Sequence, residues 1–402
     1  MSDFPGALRA LMTEHGVSAC ELAHQVPCDP SLISRYRNGR QKPSAKMAGR
    51  LDEVLGADGA LAAFAQDPLP GRRAVLAGGL VAGGLLSVSP EILERLTWAQ
   101  RHPPQIDAAM VESLADVLVA QRRAEDTLGS AAMVRPVLAQ LTVVEDLVKR
   151  AHGPVRPALV NVAQQWAQFA DWLCRDSGDL ARARACCAQA LEWAAELGDR
   201  SMVATILVER SCMAAEAGDV GAMIGLARGA QRDTRAATEQ RAYAAGLEAR
   251  GYAMAGDTAA AERKLGDAED LTGELASRPQ DRRPWSYWMT PEFFQNVAGF
   301  TCGYLAGTDP SWHRRAVALL GPKPEASETA LWAPAAYLTH LAFAHARAGD
   351  VDPACATALE ASAAVRRTGS ARLGVMLDQI HADLQARSPN DARVAELAEA
   401  LR

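Results

Sequence analysis

Basic, amide and hydroxyl side chains cluster between positions 31 and 42 of the chain. Arginine donates paired hydrogen bonds to guanine edges and asparagine to adenine edges, whereas serine and lysine suit phosphate oxygens. No acidic residue lies between Pro30 and Leu51, which favours contact with a polyanion. The sequence does not show which of these residues contact bases and which contact phosphates. The candidate contacts to double-stranded DNA are Ser31, Ser34, Arg35, Arg37, Asn38, Arg40 and Lys42.

Two short helices with a tight break between them must position this cluster. Ser18, followed by Glu21 three residues later, is the pattern of a capping box that begins the first helix. Pro27 ends that helix, and Pro30 takes the first position of the second, because proline lacks the N–H that an inner helical position needs. Gly39 ends the second helix. The outward face of that helix is then polar and basic, as a helix in a DNA major groove requires.

The segment at residues 33–43, ISRYRNGRQKP, resembles the helix-turn-helix of the Cro/repressor (XRE) family, and Ala23 in the preceding helix also matches. The resemblance implies a DNA-binding domain of five short helices over residues 1–67, about one sixth of the chain. Two positions depart from the family pattern, since Pro27 replaces a glycine in the turn and Arg37 replaces a commonly acidic residue. The second departure makes the recognition helix more basic. A small helical bundle with a solvated basic face is the alternative.

Composition predicts an all-α chain with material for about two to four domains. Hydrophobic residues make up 49% of the 402 residues and aromatic residues only 5%, while alanine, leucine, arginine and glutamate are abundant. Residues 1–50 hold seven Lys or Arg against four Asp or Glu, a net charge of +3. Because the whole chain carries −6, the remaining residues carry −9. A basic head on an acidic body fits binding to a polyanion at one end only.

The sequence contains no familiar catalytic or cofactor motif. It lacks a G-x-x-x-x-G-K-[ST] phosphate loop, a G-x-G-x-x-G turn, an H-E-x-x-H zinc helix and a G-x-S-x-G nucleophile turn. His340 and His345 are five positions apart, which places them on different helix faces and argues against a shared metal. We therefore expect no enzyme activity, no cofactor and no metal.

Residues 74–86 form an apolar, glycine-containing segment directly after Arg72 and Arg73. The pattern is similar to a twin-arginine export signal or a membrane span, but it is internal, and its 13 residues are fewer than the roughly 20 of a spanning helix. We expect a linker with a docking helix over residues 68–104, and no membrane partner. The eight cysteines show no C-x-x-C, and the first residues do not resemble a signal peptide, so we predict free thiols and a cytoplasmic location.

Gly-Asp pairs recur in the long remainder, residues 105–402, which is predicted to be a train of helices. They begin at Gly178, Gly218, Gly256 and Gly349, with a looser version at residues 307–309. Small residues recur five and twelve positions after these glycines, where paired helices must approach closely. The pattern resembles a degenerate array of five or more tetratricopeptide repeats, which implies an α-solenoid with the first helix of each pair lining its concave face. The alanines that carry it are Ala183, Ala190, Ala261, Ala268, Ala354 and Ala361.

Positions on the predicted concave face mix aromatic, amide and charged side chains. Amides can pair with peptide groups and rings can pack against side chains, so the face suits a peptide or a small molecule of mixed polarity. For any one position, a core or solvent-facing role is the alternative. The candidate ligand contacts are Gln165, Gln168, Trp172, Arg175, Glu209, Tyr243, Arg250, Phe294, Tyr304, His340, Phe343 and Arg347.

Trp285, Tyr287 and Trp288 form the most unusual stretch of the body, because the chain has only 5% aromatic residues. We expect a loop that leads into a helix at Glu292. Its rings either fill the core where the repeat spacing widens or form one wall of the ligand groove. Taken together, the head, the apolar linker, the repeats and this stretch resemble regulators common in actinomycetes.

These features predict a cytoplasmic, homodimeric transcriptional regulator whose operator binding is modulated by a peptide or small-molecule effector. The architecture resembles peptide-pheromone regulators in which a Cro-type head is joined to a repeat domain. One alternative is a protein-interaction or dimerisation scaffold with repeats and no small ligand. A second alternative keeps DNA binding but makes the repeats a dimerisation arm without an effector.

Overall fold

A computed structural model shows an all-α chain, as the composition predicts, and each described element is a helix or a short 3-10 turn. It describes residues 4–26, 30–38, 43, 45–57, 61, 106–277, 283–321 and 332–402. The chain divides into two compact units, Met1–Ala77 and Gly78–Arg402, which we call the head and the body. The predicted linker at 68–104, including the apolar segment, lies outside the described residues.

Within the described residues, four helices form the head: α1 (Phe4–Glu14), α2 (Ala19–Gln25), α3 (Pro30–Arg37) and α4 (Ala45–Val54). Helices α2 and α3 pack against each other, as the two helices of a helix-turn-helix do. Of the fifth helix predicted at 59–65, only Leu61 is described. It is fully buried, and its backbone N–H donates to Oδ1 of Asp52 across 2.7 Å. The core that joins the helices includes Leu8, Leu22, Ile33, Tyr36 and Leu51.

The predicted capping box at the start of α2 is confirmed. The Glu21 N–H donates to Ser18 Oγ across 3.2 Å, and the Ser18 N–H donates to Glu21 Oε2 across 2.8 Å. Hydrogen bonding to Ser18 lowers the pKa of Glu21. Gly16, which follows α1, has a φ of 63°, a conformation that residues with a Cβ resist. Local signals thus set the break between α1 and α2.

The body is a succession of helix pairs, in which each odd-numbered helix packs against the even-numbered helix that follows it. A 3-10 turn, Pro284–Ser286, lies between the fourth and fifth pairs. The helices are α5 (Ala108–Leu128), α6 (Ser130–Arg150), α7 (Val155–Asp176), α8 (Leu180–Leu197), α9 (Arg200–Glu216), α10 (Val220–Gln231), α11 (Thr238–Met254), α12 (Thr258–Ser277), α13 (Pro291–Leu305), α14 (Pro310–Leu320), α15 (Trp332–Ala348), α16 (Val351–Thr368), α17 (Ala371–Arg387) and α18 (Ala392–Leu401).

The Gly-Asp turns join the helices of four pairs. Gly178, Gly218, Gly256 and Gly349 have φ angles between 74° and 86°, which glycine adopts without steric penalty. In the first three turns the aspartate caps the second helix through its side chain. The small residues predicted at the close approaches are buried in these pairs, except for the half-buried Ala268. The buried ones are Ala183, Ala190, Ala261, Ala354 and Ala361.

The last helices of the body return to the first. The Ser370 hydroxyl, just before α17, donates to Oδ1 of Asp176 at the end of α7 across 2.7 Å. Gly129, between α5 and α6, lies so close to Thr368 that an added Cβ would overlap the Thr368 carbonyl oxygen. The row of pairs therefore closes on itself around a central space, and the sequence predicted a solenoid with a concave face.

Among the described helices, none is long and apolar enough to cross a membrane. The seven described cysteines are free thiols, as predicted, and all of them except Cys20 are buried. Burial raises the pKa of the Cys302 thiol to about 11, which is typical of an unreactive core cysteine.

Candidate functional site

A cavity of about 1030 Å³, including the part that is open to solvent, lies inside the body. Its wall comes from α5, α7, α9, α11, α13, α15 and α17 and from the stretch around the 3-10 turn. These seven helices are the first members of the successive pairs. The arrangement agrees with the expectation that first helices line the inner face of such an array.

Aromatic side chains are concentrated on the cavity wall. Ten of the 21 phenylalanine, tryptophan and tyrosine residues of the chain line it. Several meet edge to face, with centroids 6.2 Å apart for Trp288 and Trp332 and 6.4 Å apart for Trp172 and Trp332. Such pairs are favourable because the edge of one ring is positive and the face of the other negative. The ten residues are Phe169, Trp172, Tyr243, Trp285, Tyr287, Trp288, Phe293, Phe300, Trp332 and Tyr337.

The Trp285 to Trp288 stretch serves both of the roles that its sequence left open. Trp285 is only 5% exposed, and its Nε1 donates to Oγ1 of Thr205 in α9 across 3.1 Å. Trp288 Nε1 donates to the Trp285 carbonyl oxygen across 3.0 Å. The Tyr287 hydroxyl donates to Oδ2 of Asp126 across 3.2 Å. The stretch is thus tied to α5 and α9 while three of its rings line the cavity.

Charged residues of the wall form a buried ion-pair network. Arg175 donates from Nη2 to Glu209 and from Nη1 to Glu216, across 2.9 Å in each case. Ser130 and Trp172 donate to Oε1 of Glu125 across 2.9 and 3.3 Å. Burial nevertheless raises the pKa of Glu125 to about 7. All three carboxylates that line the cavity are therefore already engaged by protein donors.

Several buried polar atoms of the wall have no hydrogen-bond partner among the described residues. Buried polar groups are nearly always hydrogen-bonded in folded proteins, so a set of them on one cavity indicates a binding surface. Burial holds the pKa of His340 well below its usual value, so this imidazole is neutral. The unpartnered atoms are Nη1 of Arg122, Nε of Arg175, Nε of Arg250, Oδ1 of Asn296 and Nδ1 of His340.

In the head, α3 turns its polar side chains away from the core. Arg35 and Asn38 are exposed, and Ser34 and Arg37 are half-buried. The Asn38 side-chain amide donates to Ser34 Oγ across 3.4 Å, so these two residues share one face. Of the other candidate DNA contacts, Ser31 belongs to the first turn of α3, and Arg40 and Lys42 lie outside the described residues.

Residues 6–65 match a family model described as a helix-turn-helix domain. The match contains α2 and α3 and agrees with the Cro-type pattern of the sequence. The head is a helix-turn-helix DNA-binding domain. Curated proteins include none that matches the chain.

The structure brings seven of the twelve candidate ligand residues to the cavity, namely Gln168, Trp172, Arg175, Glu209, Tyr243, Arg250 and His340. Gln165 does not line the cavity, and its side chain donates to the Asn161 carbonyl oxygen. Phe294 packs with Met289 in a core cluster. The remaining three are placed away from the cavity: Tyr304 and Phe343 pack on each other, with ring centroids 4.8 Å apart, and Arg347 is exposed.

Sequence reasoning missed the residues that the first and last pairs bring to the cavity. Arg122 and Glu125 lie in α5, and Arg372 lies in α17. No Gly-Asp turn marks these pairs, so the repeat pattern did not reach them. Their positions in the helices gave no signal either, because Arg122 and Glu125 lie in the last third of α5 and Arg372 is the second residue of α17.

Outside the cavity wall, His313, His345 and Asp350 lie together. Nε2 of His313 is 3.0 Å from Nδ1 of His345, and Nδ1 of His313 is 3.5 Å from Oδ2 of Asp350. Within the described part of the chain, this is the group whose atoms are close enough to hold a metal ion. His340 faces the cavity instead, as the five-residue separation from His345 predicts.

Proposed function

We propose that the chain is a transcriptional regulator whose operator binding is controlled by an effector in the body cavity. The observation that carries this proposal is the set of unpartnered buried polar atoms on an aromatic-rich wall. The helix-turn-helix head supplies DNA binding. We further propose that the protein is a cytoplasmic homodimer with no enzymatic activity. The recurring Gly-Asp turns support the proposal that its body is built from tetratricopeptide-like repeats.

Two properties favour a ligand site over a packing defect. Protein interiors are close-packed, whereas side chains from seven helices of the body surround this space. Ten of the 21 aromatic residues of the chain line the cavity, although aromatic residues are scarce in this sequence. Aromatic walls with a few polar groups are the usual lining of small-molecule sites.

The proposed mechanism uses the closed arrangement of the body. A ligand that contacts seven helices at once favours one spacing of those helices over others. It shifts the body between two arrangements only if it binds one arrangement more tightly than the other. In a dimer, two heads must lie about 34 Å apart to engage successive major grooves of a two-fold operator. A change in the body that alters this spacing would change operator affinity.

DNA binding is tested on a fragment upstream of the gene by fluorescence anisotropy at about 150 mM salt. Replacing Arg35 and Arg37 with alanine should weaken binding at least about tenfold, because a good arginine contact to a base edge contributes about 1–3 kcal/mol. The control replaces Arg9 and Arg50, which are exposed elsewhere in the head, and removes the same charge. Equal binding by both double variants would contradict the assignment of α3.

Effector control is tested by adding a small-molecule extract of the producing cells to the same assay. We expect the extract to change the operator affinity of the wild-type protein. Ala336→Trp, which fills the cavity, should abolish the response without lowering operator binding. Ala185→Trp, on the exposed face of α8, is the control and should respond normally. A wild-type protein that binds DNA but ignores the extract would favour the dimerisation arm, and one that binds no DNA would favour the scaffold.

A further inference from the structure

Arg250 is a cation on the cavity wall that pairs with no carboxylate of the described residues. It makes neither a hydrogen bond nor an ion pair with any described residue, and its Nε is buried. Its Coulombic neighbours are the thiol of Cys212, the hydroxyl of Tyr243 and the ring of His340, none of which is an anion under ordinary conditions. A buried charge is costly unless an opposite charge pairs with it, so binding of an anion at Arg250 would be favourable.

Two of the other three arginines of the wall have carboxylate partners, and the third, Arg122, is bound by a backbone carbonyl oxygen. Arg175 has Glu209 and Glu216 as partners, and Arg372 has Asp176 at 3.2 Å. Arg122 donates from Nη2 to a backbone carbonyl oxygen, and its Nη1 stays unpartnered among the described residues. The wall therefore has spare donors and no spare carboxylates. The arginines of the wall therefore require an acceptor, a charged one at Arg250, whereas Oδ1 of Asn296 requires a donor.

The same contacts disfavour a cationic ligand. Ligand cations are commonly held over tryptophan faces. Here, however, the guanidinium of Arg175 lies 5.1 Å from the ring centroid of Trp172, and that of Arg372 lies 5.7 Å from it. A third cation at this ring would meet two like charges.

The neutral groups around Arg250 suit a carboxylate attached to a flat ring. His340 stacks on Phe300 with centroids 3.7 Å apart, so a planar surface lies beside the guanidinium. Because His340 is neutral, it adds no positive charge beside the guanidinium of Arg250. A guanidinium and a carboxylate match in charge and in their paired hydrogen-bond geometry.

The composition of the wall favours a small molecule over an extended peptide. A bound peptide offers N–H and C=O groups at each residue, and amide side chains are suited to both. Only Gln168 and Asn296 supply amide side chains among the residues that line the cavity, whereas ten supply aromatic rings. The rings can stack on a ligand at low entropic cost, because aromatic side chains have few rotatable bonds.

We propose that the effector is a planar aromatic acid, whose ring system packs among the aromatic side chains of the cavity and whose carboxylate binds the guanidinium of Arg250. This inference rests on the proposed function only for the claim that the ligand controls operator binding. Binding itself can be measured without DNA.

The experiment compares each acid with its neutral primary amide by isothermal titration calorimetry on the full chain. The probes are indole-3-acetate and 1-naphthylacetate with the corresponding acetamides. For ligands of this size we expect dissociation constants of about 1 mM or lower for the acids and values about tenfold higher for the amides. Acids and amides of equal affinity, or no binding by any probe at about 5 mM, would overturn the proposal.

Two arginine variants on the same helix complete the test. Arg250→Gln should remove the preference for the acid and leave amide binding unchanged. Arg241→Gln is the control, since Arg241 is also half-buried in α11 with an unpartnered Nε but does not line the cavity. Retention of the acid preference in Arg250→Gln, with normal helicity by circular dichroism, would also overturn the proposal. Acid binding that leaves operator affinity unchanged would contradict the proposed function and not this inference.

Discussion

The hydroxyl of Ser370 donates a hydrogen bond to Oδ1 of Asp176 across 2.7 Å, although 194 positions separate the two residues. Nε of Arg372 donates to the same oxygen across 3.2 Å. Because Asp176 ends α7 and Ser370 precedes α17, these contacts join an early helix pair to the last one. The cavity wall is complete only because the row of pairs closes here.

Asp176→Ala should destabilise this closure. The substitution leaves Ser370 without its acceptor and removes the shortest ion pair of Arg372, whose side chain is 21% exposed and also lies 3.8 Å from Glu216. We expect the free energy of unfolding to fall by about 2–3 kcal/mol, below the full effect of breaking a buried pair, because Arg372 keeps some solvent and a second carboxylate. Urea denaturation measures the change. Glu196→Ala, which breaks an exposed pair with Arg156, should lower it by less than about 1 kcal/mol.

Gly129 and Gly153 give a matched test of the same closure. Both have positive φ angles, of 81° and 66°. A Cβ at Gly129 would overlap the Thr368 carbonyl oxygen, whereas nothing lies within 4 Å of one at Gly153. Gly153→Ala should lower the free energy of unfolding by about 1–2 kcal/mol, the cost of a left-handed alanine. Gly129→Ala should lower it by about 2–5 kcal/mol, because steric overlap is added and because the ψ of 161° at Gly129 belongs to a region that is essentially restricted to glycine. Equal losses in thermal denaturation would show that Thr368 does not approach Gly129.

Features that depend on neighbouring residues could be predicted from the sequence. The capping box of Ser18 and Glu21 is formed by residues three positions apart, and the turn at Gly178 needs only a glycine that tolerates positive φ. The inner face was assigned to the first helix of each pair for the same reason, since a repeat in sequence implies a repeat in packing. Seven of twelve candidate ligand residues reach the cavity on that basis.

Features that depend on residues far apart in the sequence could not be predicted. The contact of Ser370 with Asp176 has no period in the sequence, so the closed wall and the place of Arg372 in it were missed. The direction of individual side chains was also uncertain, because one residue of helical register turns a side chain by about 100°. Tyr304 and Phe343 lie on first helices, as expected, but point at each other instead of into the cavity.

The hydrogen bond from Trp285 Nε1 to Thr205 Oγ1 should couple the aromatic stretch to α9. Trp285→Phe removes the donor and Thr205→Val removes the acceptor with little change in volume. In a double-mutant cycle we expect a coupling free energy of about 1 kcal/mol, the typical net contribution of a buried hydrogen bond. Thr205→Val also removes a hydrogen bond to the Ser201 carbonyl oxygen, but the cycle cancels that loss. A coupling near zero by urea denaturation would contradict the docking of Trp285 on α9.

Glu125 should make stability depend on pH in a definite direction. Burial raises its pKa from about 4.5 to about 7 in the folded protein. Between these pH values the folded chain holds a proton that the unfolded chain has released, so the free energy of unfolding decreases as pH rises through this window. Glu125→Gln cannot titrate and keeps an acceptor for Ser130 or Trp172. From pH 4.5 to pH 8, the free energy of unfolding of the variant should therefore rise relative to that of wild type by at most about 3 kcal/mol. Glu112→Gln, an exposed change on the same helix, is the control and should follow the wild-type profile in urea denaturation across this range. A Glu125→Gln profile parallel to wild type would mean that the carboxyl group titrates alike in both states, as it would if water reached this side of the cavity freely.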